Sequence, residues 1–129
     1  STPDPCSMPS LFRTVLKSKI HRAIVTGADL DYEGSVSIDE NLLQLADILP
    51  HEQVQLYNIS NGNRLTTYAI SASAGSGTIC ANGAAAHHIQ PGDLVIIASY
   101  ASVPDEVAAD HQPCVILVNH DNQPQDQNP

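Results

Sequence analysis

The chain has 129 residues, a length that suits one hydrophobic core and is too short for a separate cofactor domain. Its formal net charge of −9 argues against nucleic-acid binding through a general basic surface. No apolar run approaches the ~20 residues of a membrane-spanning helix and no secretion signal opens the chain, so we expect a soluble, cytoplasmic protein without membrane contact.

The two ends of the chain differ in composition from its middle. Residues 1–10 contain three prolines and no apolar periodicity, and residues 121–129 are rich in Gln, Asn, Asp and Pro. Such segments bury too little apolar surface to become ordered. We therefore expect a flexible N-terminal extension over 1–10, a single folded domain over 11–120 and a flexible C-terminal tail over 121–129.

Most of the middle is predicted to form strands. β-Branched or aliphatic runs bounded by turn residues predict strands at 23–25, 54–59, 66–70, 94–100 and 115–118. Asn61-Gly62 predicts a hairpin turn, because both residues tolerate a positive φ. Trp is absent and aromatic residues make up 4% of the chain, so the core must be built from Val, Ile, Leu and Ala. Oligomerisation would help to stabilise such a core.

Two helical segments are predicted. Ser37-x-x-Glu40 is typical of a capping box at a helix start, and Pro50 would end that helix. Its apolar face would consist of Leu42, Leu43, Leu45, Ala46 and Leu49. A shorter helical turn is expected to start near Asn82 and to cover Ala84–His88.

One pattern occurs twice. In residues 48–56 and again in residues 89–97, Ile and Pro precede an acidic residue and an alternating apolar strand. The repeat predicts an internal pseudo-twofold relationship. Chance similarity between two turn-strand units is the alternative explanation.

The Gly34-Ser35 step is a candidate self-cleavage site. The same dipeptide recurs as Gly75-Ser76 in a Gly-rich run, where a flexible turn explains it. Residue types alone therefore favour a plain turn at Gly34-Ser35 as well.

All permanent cations lie in the first half of the chain, as Arg13, Lys17, Lys19, Arg22 and Arg64. If the ligand is a small dicarboxylate, the net charge repels it and local cations must capture it. Lys19 and Arg64 are the candidates for that role. The alternative interpretation of both is a solvated surface charge.

Several short sequence blocks occur along the chain in a fixed order. They are 13–14, 17–22, 32–35, 61–64, 66–70, 82–87, 91–98 and 104–106. Together they closely resemble the pyruvoyl-dependent aspartate 1-decarboxylase family, from about Leu11 to about Val118. The resemblance implies a mainly β fold, a double-psi β-barrel with short flanking helices, for which an internal pseudo-twofold is required.

The resemblance also implies a two-stage chemistry. Autocatalytic cleavage between Gly34 and Ser35 would give a small β chain and a larger α chain and convert Ser35 into a covalent pyruvoyl group, the cofactor. That ketone would form a Schiff base with L-aspartate and withdraw electrons while the α-carboxylate leaves as CO2. The product, β-alanine, enters pantothenate and coenzyme A biosynthesis.

Roles for further residues follow from the same resemblance. Thr67 would assist cleavage and contact substrate, and Tyr68 would be the proton donor. Lys19 and Arg64 would bind substrate carboxylates, with Arg64 suited to a bidentate grip. Backbone amides at Gly83, Ala84 and Ala85 would form an anion site, and Asn82 would either cap the short helix, which is the favoured role, or bond the pyruvoyl group. His21 and Tyr32 lie close to the cleavage turn in the family, and we assign neither a proton-transfer role.

The resemblance and the residues also bear on assembly and on competing functions. The resemblance implies a homotetramer with active sites between subunits, and it leaves open a maturation helper protein. His87, His88 and Cys80 fit no common zinc spacing, so no metal site is predicted. The rival functions are a non-enzymatic double-psi barrel that binds or assembles, and a pyruvoyl decarboxylase for another amino acid such as glutamate.

Overall fold

In the computed structural model, which describes residue 6 and residues 10–126, the prediction of a mainly β fold is confirmed. The strands are β1 Phe12–Ile24, β2 Gly27–Asp29, β3 Ser35–Asp39, β4 Gln53–Asn58, β5 Arg64–Ala72, β6 Ile79–Asn82, β7 Leu94–Pro104 and β8 Cys114–Leu117. The helices are α1 Glu40–Ala46, α2 Asp105–Ala108 and a 3₁₀ helix Gly83–His87. Within the described residues, no helix is both long enough and apolar enough to span a membrane.

The eight strands of the described residues form one mixed sheet in the order β2-β6-β3-β5-β4-β7-β1-β8, which is consistent with a barrel-like fold. The pairs β2-β6, β3-β5 and β1-β8 are parallel, and the other neighbours are antiparallel. β1 lies between β7, with which it forms ten residue pairs, and β8, with which it forms four. The first strand is therefore held by pairing on both edges.

The core is aliphatic, as its composition predicts. The largest side chains that are almost fully buried include Ile20, Ile38, Leu42, Leu56, Ile79, Ile89 and Ile97. Ile89 lies in the loop before β7, and the others come from β1, β3, α1, β4, β6 and β7, so these elements share one contiguous hydrophobic cluster. The same packing fixes β3 and β6, the strands on which the candidate site depends.

The internal pseudo-twofold is confirmed in the pairing of the two repeated segments. Residues 48–56 lead into β4 and residues 89–97 lead into β7, and these strands are antiparallel neighbours. Leu56 lies opposite Ile97, its equivalent in the repeat. Antiparallel pairing of equivalent residues is what a twofold axis through that pair produces.

Backbone hydrogen bonds in the two turns obey the same relationship. The His51 N–H donates to the Ala69 carbonyl over 2.7 Å, and the Gly92 N–H donates to the Val25 carbonyl over 2.8 Å. In each turn, a carboxylate accepts the backbone N–H of the residue three positions earlier. The Glu52 carboxylate accepts the Leu49 N–H, and the Asp93 carboxylate accepts the Gln90 N–H. The repeat is therefore structural as well as sequential.

Several strand predictions were incomplete. β2, β3 and β6 were missed, because they are three to five residues long and carry Gly, Ser, Asp or Asn among few apolar residues. β1 was predicted only over 23–25, although it begins at Phe12. Its outer face carries basic residues, which masked the apolar alternation that ends in Ile20 and Ala23.

The predicted start of α1 was wrong. Ser37 lies within β3, and the N-cap is Asp39, whose carboxylate accepts the Asn41 N–H over 2.8 Å. The fully buried Asp39 carboxylate also accepts the backbone N–H groups of Gly75 and Gly77. A carboxylate caps a helix as well as a hydroxyl does, and here it also orders the following loop.

The end of α1 also differs from the prediction. The helix stops at Ala46, because Asp47 adopts a left-handed conformation with φ 54°. Leu42, Leu43 and Ala46 are buried, whereas Leu45 and Leu49, which were assigned to the apolar face, are 46% and 67% exposed. Pro50 follows the end of the helix and does not cause it.

The hairpin between β4 and β5 is confirmed, but its loop is longer than a two-residue turn. Residues 59–63 connect the strands, and the Asn58 N–H donates to the Asn63 carbonyl over 2.8 Å. Only Gly62 of the predicted pair has a positive φ, at 80°. The extra residues remove the requirement for a left-handed Asn61.

The predicted flexible ends fall largely outside the described residues, which exclude 1–5, 7–9 and 127–129. Asn122 belongs to the tail that the sequence predicts to be flexible, yet it is 1% exposed. Its side chain donates to the carbonyls of Ile24 and Gly77 and accepts the Ile24 N–H. The first residues of that tail therefore pack against the end of β1.

Candidate active site

The candidate site is built at the corner where β3 meets β6. Ser35, the first residue of β3, lies opposite Asn82, the last residue of β6. Gly83 follows in a left-handed conformation with φ 63°. A Cβ at position 83 would lie 2.7 Å from Gly34 Cα and 2.9 Å from the Tyr32 carbonyl oxygen. The backbone of Gly83 therefore packs directly against the backbone of Gly34, which requires glycine.

Ser35 is fully buried and has two hydrogen-bond partners. Its hydroxyl donates to the Glu33 carbonyl over 2.9 Å and accepts Asn82 Nδ2 over 3.1 Å. Asn82 Nδ2 also donates to Ser37 Oγ over 3.0 Å, and Cys80 Sγ donates to Asn82 Oδ1 over 3.4 Å. A carboxamide donor is thus aimed at the side chain of Ser35.

A cleft of about 370 Å³ opens beside this corner, with Gly34 in its wall. Its other walls are Leu65, Thr66, Thr67, Tyr68, Ala84, Ala85 and His88. The structure therefore brings together five residues that were predicted to belong to one site, namely Gly34, Thr67, Tyr68, Ala84 and Ala85. The small side chains of the two alanines leave room for a ligand.

Three lining residues were missed by sequence reasoning. Leu65 and Thr66 precede the predicted Thr67-Tyr68 pair on β5, and His88 directly follows the 3₁₀ helix. A strand that presents one side chain to a cleft usually presents the one two residues away as well, so Thr66 could have been found beside Tyr68. His88 carried no signal, because its position depends on how the 3₁₀ helix packs.

Tyr68 carries a phenol that favours its protonated form. Burial, together with the nearby Glu33 carboxylate and Tyr32 phenol, raises the pKa of Tyr68 above its ordinary value. The ring also packs near the His51 imidazole, with 6.1 Å between the ring centroids. At neutral pH this group is therefore a proton donor and not an acceptor.

The prediction that Asn82 caps the 3₁₀ helix was wrong. Asn82 occupies the N-cap position, but its side chain makes no capping hydrogen bond. It turns instead toward Ser35 and Ser37, where both hydrogens of Nδ2 have acceptors. Three buried or half-buried polar side chains compete for this one carboxamide, and together they outweigh the single bond that a cap would provide.

Lys19 and Arg64 lie elsewhere in the chain. Of the described residues that line the cleft, none is Lys or Arg. Arg64 lines a separate cleft of about 310 Å³, where its guanidinium lies 4.1 Å from the centroid of the Tyr57 ring. Such cation-π packing orients the guanidinium. Tyr57, which holds Arg64, was not identified from the sequence.

The strand register places both cations on one face of the sheet. Arg64 pairs with Tyr57, Tyr57 pairs with Ile96, and Lys19 pairs with Ala98, two residues further along β7. Paired residues and residues two apart point to the same face of a sheet. The alternate positions of these strands, which include Ile20, Leu56 and Ile97, form the core. Lys19 and Arg64 therefore share the outer face.

No metal centre is evident at these positions. Among the described residues, no group of three His, Cys, Asp or Glu side chains is arranged to hold a metal ion. His88 lines the cleft, while Cys80 bonds Asn82.

Comparison with known proteins agrees with this geometry. A family profile described as "Aspartate decarboxylase" matches residues 11–125. The chain belongs to the aspartate decarboxylase family. A protein of Thermoanaerobacter pseudethanolicus named "Aspartate 1-decarboxylase" is 59% identical over 112 residues, which cover 87% of this chain and 96% of that protein. Proteins of the same name from Syntrophobacter fumaroxidans and Myxococcus xanthus are each 57% identical, cover 87% and 85% of this chain, and are themselves 90% and 85% covered.

Aspartate decarboxylases imply a pyruvoyl cofactor, and the residues around Ser35 fit one. Ser35 is buried away from water, and the Asn82 carboxamide donates to its hydroxyl, the group from which the cofactor would be made. Gly83 leaves no space for a side chain beside Gly34, so the backbone itself shapes the pocket.

The close approach of Gly83 to Gly34 can be tested by adding one methyl group. We expect Gly83→Ala to lower the free energy of unfolding by about 2–5 kcal/mol, from left-handed strain plus overpacking. Gly62→Ala is the matched control, because Gly62 also has a positive φ but has open space around it. It should lose only about 1–2 kcal/mol. Equal losses in denaturant unfolding of the two variants would contradict the packing argument.

Proposed function

We propose that this chain decarboxylates L-aspartate to β-alanine and CO2, as a lyase of pantothenate and coenzyme A biosynthesis in the cytoplasm. Family membership supports the reaction. The site assignment rests on the buried Ser35, whose hydroxyl accepts a hydrogen bond from Asn82. Ser35 lies at the corner beside the cleft that Thr67 and Tyr68 line. We further propose that Ser35 is the precursor of the pyruvoyl group.

The first stage is a rearrangement of the chain itself. Ser35 Oγ attacks the Gly34 carbonyl carbon, the C–N bond breaks, and the Gly34 acyl group moves from nitrogen to oxygen. Elimination then breaks the Cα–H and Cβ–Oγ bonds of residue 35 and releases Gly34 as a carboxylate. Water replaces the nitrogen, which leaves as ammonia. The Thr67 hydroxyl is positioned in the same cleft to donate to the oxyanion that develops on Gly34.

The second stage uses the fixed groups of the cleft. When present, the pyruvoyl carbonyl supplies the electron-withdrawing group that lets the substrate's α-carboxylate leave as CO2. Tyr68 then donates its phenolic proton to the carbon that lost the carboxylate, a role for which the phenol must be protonated, as it is at neutral pH. The backbone amides of Gly83, Ala84 and Ala85 face the substrate, and Asn82 Nδ2 remains beside residue 35 as a hydrogen-bond donor.

Substrate carboxylates require a cation, and none of the described residues that line the cleft is Lys or Arg. Arg64 and Lys19 lie on the outer face of the sheet, outside this cleft. We infer that a neighbouring subunit of a homotetramer presents this face to the cleft. Arg64 then grips one carboxylate and Lys19 adds a point charge against the net charge of −9.

The proposed cleavage predicts a covalent difference at one residue. We expect the wild-type chain to part between Gly34 and Ser35, with the larger fragment lighter by one ammonia than a peptide that starts with serine. Ser35→Ala should stay whole and make no β-alanine, because it lacks the attacking oxygen. Intact-mass measurement detects the cleavage, and parallel assays with aspartate and glutamate measure the decarboxylation. Ser76→Ala, in the other Gly-Ser step, is the control and should cleave and decarboxylate normally. Formation of β-alanine by Ser35→Ala would refute the mechanism.

Tyr68→Phe separates the two stages. The variant keeps the ring and loses only the phenolic proton, so the chain should still cleave at Gly34-Ser35. Decarboxylation should fall about 100-fold or more, the usual contribution of a positioned proton donor. Single-turnover measurement of CO2 and β-alanine after complete cleavage tests this. Full turnover in the cleaved variant would remove Tyr68 from the role.

The shared site predicts complementation between two inactive variants. Ser35→Ala retains Arg64, and Arg64→Ala retains Ser35, so mixed tetramers should contain some sites with both groups. If the variants mix at random, activity should return to about a quarter of the wild-type value, since each site needs the right residue from two chains. β-Alanine formation by the co-expressed and co-purified pair measures it.

The matched control pairs Ser35→Ala with Tyr68→Phe. Gly34 and Tyr68 line the same cleft of one chain, so this pair cannot assemble a complete site. Recovery in the control as large as in the first mixture would contradict the arrangement, as would no recovery in the first mixture.

A further inference from the structure

We propose that Ser37 and Cys80 are positioning residues, which hold the Asn82 carboxamide in the one orientation that donates to residue 35. The inference rests on the proposed function of Ser35. Neither residue is among those that line the cleft, so both act through Asn82. All three contacts lie within 3.4 Å of the Asn82 carboxamide.

The hydrogen-bond donors and acceptors around Asn82 determine the orientation of its carboxamide. The Ser35 hydroxyl has one hydrogen, and the Glu33 carbonyl, which can only accept, lies 2.9 Å away. If that hydrogen is used there, the contact between Ser35 Oγ and Asn82 must be a donation by Nδ2. Oδ1 of Asn82 then faces Cys80, and the second Nδ2 hydrogen faces Ser37.

Cys80 is suited to hold Oδ1 in place. It lies on β6 between β2 and β3, and its sulfur lies against Gly27, where a Cβ would be 3.3 Å away. Burial, with the nearby Asp29 carboxylate, raises the pKa of the Cys80 thiol. The sulfur therefore keeps its hydrogen at neutral pH and remains a donor to Asn82.

Losing either partner makes a second orientation of Asn82 available. If the carboxamide turns by half a rotation, Oδ1 faces Ser35 and competes with Glu33 for its hydroxyl hydrogen. No donor then points at Ser35 Oγ before cleavage, and the attacking hydroxyl loses one of the two contacts that hold it. Ser37 and Cys80 oppose this rotation from the two ends of the amide, with one contact to Nδ2 and one to Oδ1.

The test follows cleavage of freshly purified precursor by intact mass over time. We expect Cys80→Ala to slow cleavage at Gly34-Ser35 by about two-fold to ten-fold, the range that one hydrogen bond contributes. Cys80→Ser restores a donor and should return the rate to at least the wild-type value. Cys114→Ala is the control, since Cys114 donates to a single carbonyl, that of Leu45, over the same 3.4 Å and is distant in sequence from the site.

Ser37→Ala gives the matching measurement at the other end of the amide. It should also slow cleavage, whereas Ser71→Ala on the neighbouring strand β5 should not, because within the described part of the chain the Ser71 hydroxyl donates only to the adjacent Ala72 carbonyl. The decisive comparison is made in an Asn82→Ala chain. There, Cys80→Ala should have no further effect on the rate, because the group it positions is gone.

Each outcome separates the two proposals. Cys80→Ala at the wild-type rate, Cys80→Ser as slow as Cys80→Ala, or additive losses with Asn82→Ala would overturn the positioning role while cleavage itself persists. If the wild-type chain and every variant stay whole under all conditions, the proposed function of Ser35 fails instead.

Discussion

The candidate site depends on one close contact between two backbones. Gly83 lies so near Gly34 that a single added carbon would sit 2.7 Å from it, and this packing is possible only with a left-handed glycine. Because Gly83 is fixed, Asn82 on one side reaches Ser35 and the alanines on the other side enter the cleft. One glycine therefore brings a buried serine, an amide donor and a small-walled pocket into a single corner.

The sequence predicts the part of the site that is local in the chain. Gly34, Thr67, Tyr68, Ala84 and Ala85 were identified from short motifs and do meet at one cleft. Asn82 was assigned the wrong partner, because its N-cap position is a local signal while its bonds to Ser35 and Ser37 span more than forty residues. The same limit explains the fold: long aliphatic strands were found, but β2, β3 and β6 have too few apolar residues to be recognised alone.

Charge is distributed so that a single chain is incomplete. The cleft contains a proton-donating phenol and no permanent cation among its described walls, while Lys19 and Arg64 share an outer face of the sheet. Stacking on Tyr57 keeps the Arg64 guanidinium oriented on that face. An anionic substrate thus needs two surfaces of opposite character, and the proposed assembly brings them together.

The position of β1 between two strands has a consequence for the mature molecule. β1 precedes Ser35 in the chain, whereas β7 and β8 follow it. All ten residue pairs between β1 and β7 and all four between β1 and β8 therefore join the two sides of Ser35. If the chain is cut as proposed, these contacts join two separate polypeptides with no covalent link between them. Thermal unfolding would then release fragments into solution, so recovery of the native state would become a second-order encounter whose yield depends on protein concentration. The proposed cleavage thereby exchanges a chain that can refold alone for a complex that must find its other half.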